Sequence, residues 1–143
     1  MLLPVAAALT VVLAQANPAA AGNDDFEVWT NYDRYGFAGI VRFVDYGPGA
    51  PGGGNNDDYL EIYDNHPDGH GVQVWAWLHG KYLDTKYHGA GSTNNPVYFD
   101  PYAIFPKNVA AGERIGVKIC LVDGINNLIE DSCGSFEWQS IDG

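Results

Sequence analysis

The sequence predicts an all-β fold: a single small antiparallel β-sandwich of about eight short strands, closed by one disulfide. Three observations predict it. Short runs rich in Val, Ile, Tyr, Phe and Trp recur between clusters of Gly, Asn, Asp and Pro, the pattern of strands punctuated by turns. Past residue 22, no segment holds a helical period for more than two turns. The two cysteines, Cys120 and Cys133, form an even pair with no C-x-x-C spacing, which reads as one bridge and not as a redox or metal motif.

At the N-terminal end, residues 2–13 are apolar but for Thr10 and no charge appears before Asp24. About a dozen apolar residues fall short of the roughly 20 needed to span a bilayer but suit the core of a secretory signal. Ala19, Ala20 and Ala21 offer an A-x-A exit, so residues 1–21 are expected to be a signal peptide and 22–143 the mature domain. No Lys or Arg stands ahead of the apolar run, a departure from the usual signal. A buried N-terminal helix is the alternative; it needs a partner surface and leaves the Ala-rich exit unexplained. The expected location is therefore extracellular.

The mature part is long enough for one core and too short for two. It carries all 18 acids and 7 bases of the chain, a formal charge of −11. That field repels phosphate backbones and anionic membranes, so neither nucleic acid nor membrane is an expected partner. It favours a basic groove on another protein, or a divalent cation.

The expected strands are 26–30, 37–44, 59–63, 72–78, 82–87, 97–99, 114–122 and 136–141. A Gly/Pro-rich surface loop is expected at 47–57, where almost nothing can be buried. The clearest hairpin joins 72–78 to 82–87 through His79-Gly80. Its simple register puts Val72, Val74, Ala76 and Leu78 on one face with Leu83, Thr85 and Tyr87. Gln73, Trp75 and Trp77 then share the other face with Tyr82, Asp84 and Lys86. Aromatics interleaved with polar groups bury large areas at little entropic cost, so Trp75, Trp77 and Tyr82 are a candidate recognition surface. The bland alternative is that both indoles face a long loop or fill the second side of a central strand. The run 114–122 is apolar on both faces, as a central strand is. The disulfide would then pin the loop between the last two strands.

Chemistry is harder to find. Asp64, Asn65, His66, Pro67, Asp68 and Gly69 resemble a calcium loop only loosely, since the third and twelfth positions, His66 and Trp75, lack the required oxygens. An Asx-rich turn is the default there, and Asp57, Asp58 and Asp64 meeting across a loop is the remaining calcium alternative. His66 and His70 lose metal-ligand meaning because Pro67 and two glycines exclude a helix. No serine sits in a G-x-S-x-G elbow, and the carboxylates of Glu61, Glu113, Glu130 and Glu137 show no pairing in sequence alone. No catalytic residue and no cofactor is expected. A last candidate is the start of the mature chain, an extension at 22–27 with Gly22, Asn23, Asp24, Asp25 and Phe26. It opens acidic, turns β-prone, and could add to another protein as a strand. Its alternative is an edge strand of this domain, expected for 26–30 and not for the residues before it.

Tyr59-Leu-Glu-Ile-Tyr-Asp-Asn-His-Pro-Asp-Gly-His-Gly71, Ala76-Trp-Leu-His-Gly80, Phe99-Asp-Pro101, Ala111-Gly112, Lys118-Ile-Cys-Leu-Val-Asp-Gly124 and Cys133-Gly134 are spread along most of the mature chain. This pattern resembles small secreted actinobacterial proteins, most of all the adaptor subunits of umbrella toxin particles. The resemblance implies a non-enzymatic adaptor that bridges a long helical-repeat toxin subunit to a lectin-bearing, trypsin-like subunit. It also implies that residues 22–26 enter the cleft of the trypsin-like partner. The rival expectation is a secreted carbohydrate-binding module in which Trp75, Trp77 and Tyr82 stack on sugar rings.

Overall fold

The computed structural model describes residues 24–45, 58–89, 91, 95–103 and 109–141. The expected signal at 1–21, Gly22, Asn23, the 47–57 loop and Asp57 lie outside the described residues. Eight strands are present: β1 (Phe26–Trp29), β2 (Gly39–Val44), β3 (Tyr59–Asp64), β4 (Gly71–Leu78), β5 (Lys81–His88), β6 (Val97–Phe99), β7 (Arg114–Val122) and β8 (Gly134–Gln139). One helical turn, α1 (Tyr32–Tyr35), follows β1. The strands form two antiparallel four-stranded sheets, ordered β1-β2-β3-β6 and β5-β4-β7-β8.

Alternation along each strand builds the core. Val28, Val41, Phe43, Leu60 and Ile62 of the first sheet meet Val72, Val74, Ala76, Ile115, Val117, Ile119 and Leu121 of the second, all buried. Tyr102 closes one end of this layer, its ring edge-on to Phe43 at 5.8 Å. Burial pushes the Tyr102 phenol far up, and the charges of Asp58 and Asp100 push it the same way.

The disulfide joins Cys120 to Cys133. Between them, the Ile129 N–H donates to the Leu121 carbonyl, and the buried Ser132 hydroxyl lies within hydrogen-bond reach of the Leu121 and Ile129 carbonyls. The β7–β8 loop is therefore held at its base by covalent and hydrogen bonds together.

Three local expectations are corrected. The β4–β5 hairpin does turn on His79-Gly80, both with positive φ (51° and 72°), the conformation of a tight two-residue hairpin turn. The register, however, shifts between Ala76 and Trp77, where a bulge lets Trp77 pair with Tyr82 and Ala76 with Asp84. Beyond it Thr85 pairs with Trp75 and Tyr87 with Gln73, which moves Thr85 and Tyr87 to the outer face and takes Asp84 and Lys86 off it. The last strand starts at Gly134 and ends at Gln139, two residues earlier than 136–141, because β7 pairing runs on to Ile119 opposite Gly134. Likewise Phe37 lies outside β2, in the turn before it.

Candidate recognition surfaces

On the outer face of the second sheet, the cross-strand rows are Tyr82–Trp77–Gly116–Glu137 and Thr85–Trp75–Lys118–Ser135. Trp75 and Trp77 are half-buried on this face and Tyr82 is exposed, so the indoles are not under a long loop but lie on the outer side of the central strand β4. Trp77 and Tyr82 meet edge to face at 6.0 Å, and the Lys118 ammonium lies 5.6 Å over the Trp75 ring. Gly116 has no side chain between Trp77 and Glu137, which leaves an open trough of about 450 Å³ lined by Trp77, Gly80, Gly116, Lys118, Ser135 and Glu137. At the far end of the face, Gln73 is buried and its amide is fully used. Its Nε2 donates to Thr85 Oγ1 (3.0 Å) and Asn126 Oδ1 (2.9 Å), and its Oε1 accepts the Asn126 N–H (2.8 Å). The disulfide-pinned loop thus covers Gln73 and stops short of the tryptophans.

The outer face of the first sheet is a second aromatic surface that sequence reasoning missed. Trp29, Phe37 and Tyr98 are each more than 40% exposed, at 42%, 44% and 43%. Trp29 and Phe37 meet at right angles, 5.1 Å apart, and Tyr59 lies 6.1 Å from Tyr98. At the centre, Arg42 donates to Glu27 Oε1 through Nε (3.0 Å) and Nη2 (2.7 Å), and its Nη1 lies 3.6 Å from Glu61. The hydrogen bond to Glu27 raises the Arg42 pKa, so the guanidinium stays charged. The signal was available: Glu27 and Trp29 alternate with Phe26 and Val28, and Arg42 alternates with Val41 and Phe43.

Tyr63, on that same face, donates to Glu61 Oε2 at 2.9 Å. Burial first, and this bond second, push its phenol up to about 12. A phenol in the unfolded chain ionises near 10, so Tyr63 contributes stability that is whole below about pH 10 and lost as pH rises towards 12. Tyr63→Phe is expected to flatten the fall of melting temperature across that window, and thermal melts at stepped alkaline pH measure it.

The candidate segment at 22–27 departs from expectation in its described part, 24–27. Asp24 is buried: its backbone N–H donates to Asp45 Oδ2 (2.9 Å), while its carboxylate accepts the Trp138 indole N–H (3.0 Å) and the Ile141 N–H (2.7 Å). Asp25 Oδ1 accepts the Asp45 N–H at 2.9 Å. Phe26 opens β1 and stacks on Phe43 at 5.1 Å. Asp24, Asp25 and Phe26 are therefore tied into the domain, Asp24 bridging its two sheets, instead of forming a free extension. The Asp24 carboxylate, itself buried, is held by the indole and backbone donors it accepts, in bonds that are partly shielded from water. Asp24→Ala is expected to cost about 2 kcal/mol by orphaning those donors, read from urea unfolding midpoints.

The calcium alternative fails on geometry. Asp58 precedes β3 and Asp64 ends it, so they lie about 20 Å apart along the strand and cannot share an ion. Asp58 accepts the Val109 N–H, and Asp64, raised by burial against the opposing pull of His88, lies at the other end of the sheet. Among the described residues no three His, Cys, Asp or Glu side chains are grouped as cation ligands. Glu61 and Glu137 point from opposite outer faces and do not flank a common site. His70 contacts Asp123 at 2.6 Å and His79 lies 3.4 Å from Glu113, at opposite ends of the second sheet.

No protein-family model, curated protein or solved structure matches the chain.

Proposed function

We infer that the protein is a secreted, non-enzymatic adaptor that joins two other proteins, as the resemblance to umbrella toxin adaptors implies, and that each outer face of the sandwich seats one of them. The observation that carries this reading is the pair of aromatic faces, Trp29/Phe37/Tyr98 on one sheet and Trp75/Trp77/Tyr82 on the other. The outer faces of two stacked sheets point in opposite directions, so partners seated on them do not compete for space. Large, stiff aromatic rings beside charged groups are the residue types that dominate binding energy at interfaces. The disulfide supports export. With Asp24 to Phe26 tied into the domain, these three residues are not a free segment for a partner's cleft.

The test is capture from culture supernatant with the tagged mature protein and two double variants, Trp29→Ala/Phe37→Ala and Trp77→Ala/Tyr82→Ala. Each variant is expected to lose a different partner, with at least about a tenfold drop in affinity. Loss of neither partner, by variants that circular dichroism shows to be folded, would sink the reading.

A carbohydrate-binding module is the second reading, favoured by the Gly116 slot between Trp77 and Glu137, where a sugar ring could stack with its hydroxyls towards a carboxylate. Glycan-array signal that disappears in Trp77→Ala is its expected result.

A further inference from the structure

The sandwich has four edge strands, and three carry features that discourage pairing with another chain. β5 presents Lys81, Asp84 and Lys86 and is bulged; β6 has three residues; β1 has four. β8 is different. It has six residues, Gly134-Ser-Phe-Glu-Trp-Gln139, with no Lys, Arg or Pro and no bulge. Its core-side rings, Phe136 and Trp138, are stacked 6.2 Å apart and remain 42% and 39% exposed, because the first sheet ends at β1.

The free hydrogen-bonding groups of β8 follow from the pairing. The Ser140 N–H donates to the Glu113 carbonyl, on the β7 side, and antiparallel strands alternate. Trp138 and Phe136 therefore face β7 with their backbone groups, while Ser135, Glu137 and Gln139 turn theirs outward. Among the described residues no backbone group takes up that outward row. The side chains of these three residues lie on the outer face, beside the trough.

We propose that β8 is the site where an extended segment of a partner protein adds as a ninth strand, with apolar residues alternating with basic ones. This rests on the adaptor reading and names how one partner is held. Apolar side chains on the core side of the added strand would cover Phe136 and Trp138. On its other side a basic side chain would meet Glu137, the one acid of the outward row, on a chain of net charge −11, while Lys118 and Arg114 stand beside Ser135 and Gln139. The same charge disfavours a second copy, which in antiparallel β8–β8 pairing brings two Glu137 side chains to one face.

The probe is a short synthetic peptide of alternating valine and lysine, titrated into the disulfide-bonded protein by fluorescence anisotropy and hydrogen exchange. Binding is expected to slow exchange at Ser135, Glu137 and Gln139. Antiparallel addition puts the lysine amides opposite these residues, so N-methylation of the lysine amides abolishes binding and N-methylation of the valine amides does not. Ser135→Pro removes an outward N–H without touching the β7 ladder, so the domain stays folded while affinity falls at least about tenfold. Equal effects of the two methylation patterns, protection elsewhere, absence of binding, or a protein that sediments as a dimer until Ser135→Pro makes it a monomer each overturns the proposal. The adaptor reading is scored separately. If both partners are still captured from supernatant by Ser135→Pro, the added strand is wrong and the adaptor stands.

Discussion

Gly134→Ala is expected to cost about 3 kcal/mol or more and to shift the urea midpoint accordingly. A Cβ at this position would meet the Trp29 carbonyl oxygen at 1.8 Å and its carbonyl carbon at 3.0 Å, both backbone atoms of the other sheet. A side-chain neighbour could rotate away, but here the strands themselves must part. They are also fastened just beside the contact, where the Asn31 N–H donates to the Ser132 carbonyl at 2.8 Å. Separation would expose Val28, which lies 3.7 Å from the same position, and loosen the corner where β1 crosses β8. Gly112→Ala is the control. Gly112 has a positive φ of 85° but only the end of the Gln139 side chain within 4 Å, so its cost is the conformational one, about 1 kcal/mol. Equal costs at the two sites would contradict the close approach of the sheets.

Removing the disulfide, by Cys120→Ser with Cys133→Ser or by reduction, is expected to lower stability by about 3 kcal/mol. The bridge closes a sequence separation of 13, and that loop is otherwise free in the unfolded chain. Its loss acts mainly on the unfolded state, but one folded-state consequence is specific. With the base of the loop released, Asn126 loses its anchor over Gln73, whose side chain is fully buried beside Thr85. Hydrogen exchange is therefore expected to quicken first at Asn126 and Ile129, ahead of β4 and β7. Coincident unfolding midpoints with and without reductant would show that the bond is no staple.

The strands were legible because period-two alternation and turn residues are local signals. The runs 59–63, 72–78 and 114–122 needed only their own composition, and His79-Gly80 fixed the hairpin. Its bulge was not legible, since one extra residue near Leu83 leaves no mark in composition and yet moves Thr85 and Tyr87 across the sheet. Asp24 was misread for a different reason. Its partners Trp138 and Ile141 stand 114 and 117 residues away, and nothing near Asp24 announces a contact of that range. The calcium alternative failed through distance along a strand, which the sequence contained once β3 was drawn from 59 onward. The second aromatic face was overlooked because Trp29, Phe37 and Tyr98 come from three separate stretches, and Trp29 and Tyr98 come to one face, at its opposite edges, only when β1, β2, β3 and β6 assemble.

The claim on which the account turns is that the two aromatic faces bind different proteins at the same time. Mass photometry of the complexes captured from supernatant tests it most directly. A single particle containing one copy of this chain with both partners is the expected result. It is reduced to one binary complex by Trp29→Ala/Phe37→Ala and to the other by Trp77→Ala/Tyr82→Ala. Two binary complexes that never combine, or both partners lost together in either variant, would contradict it.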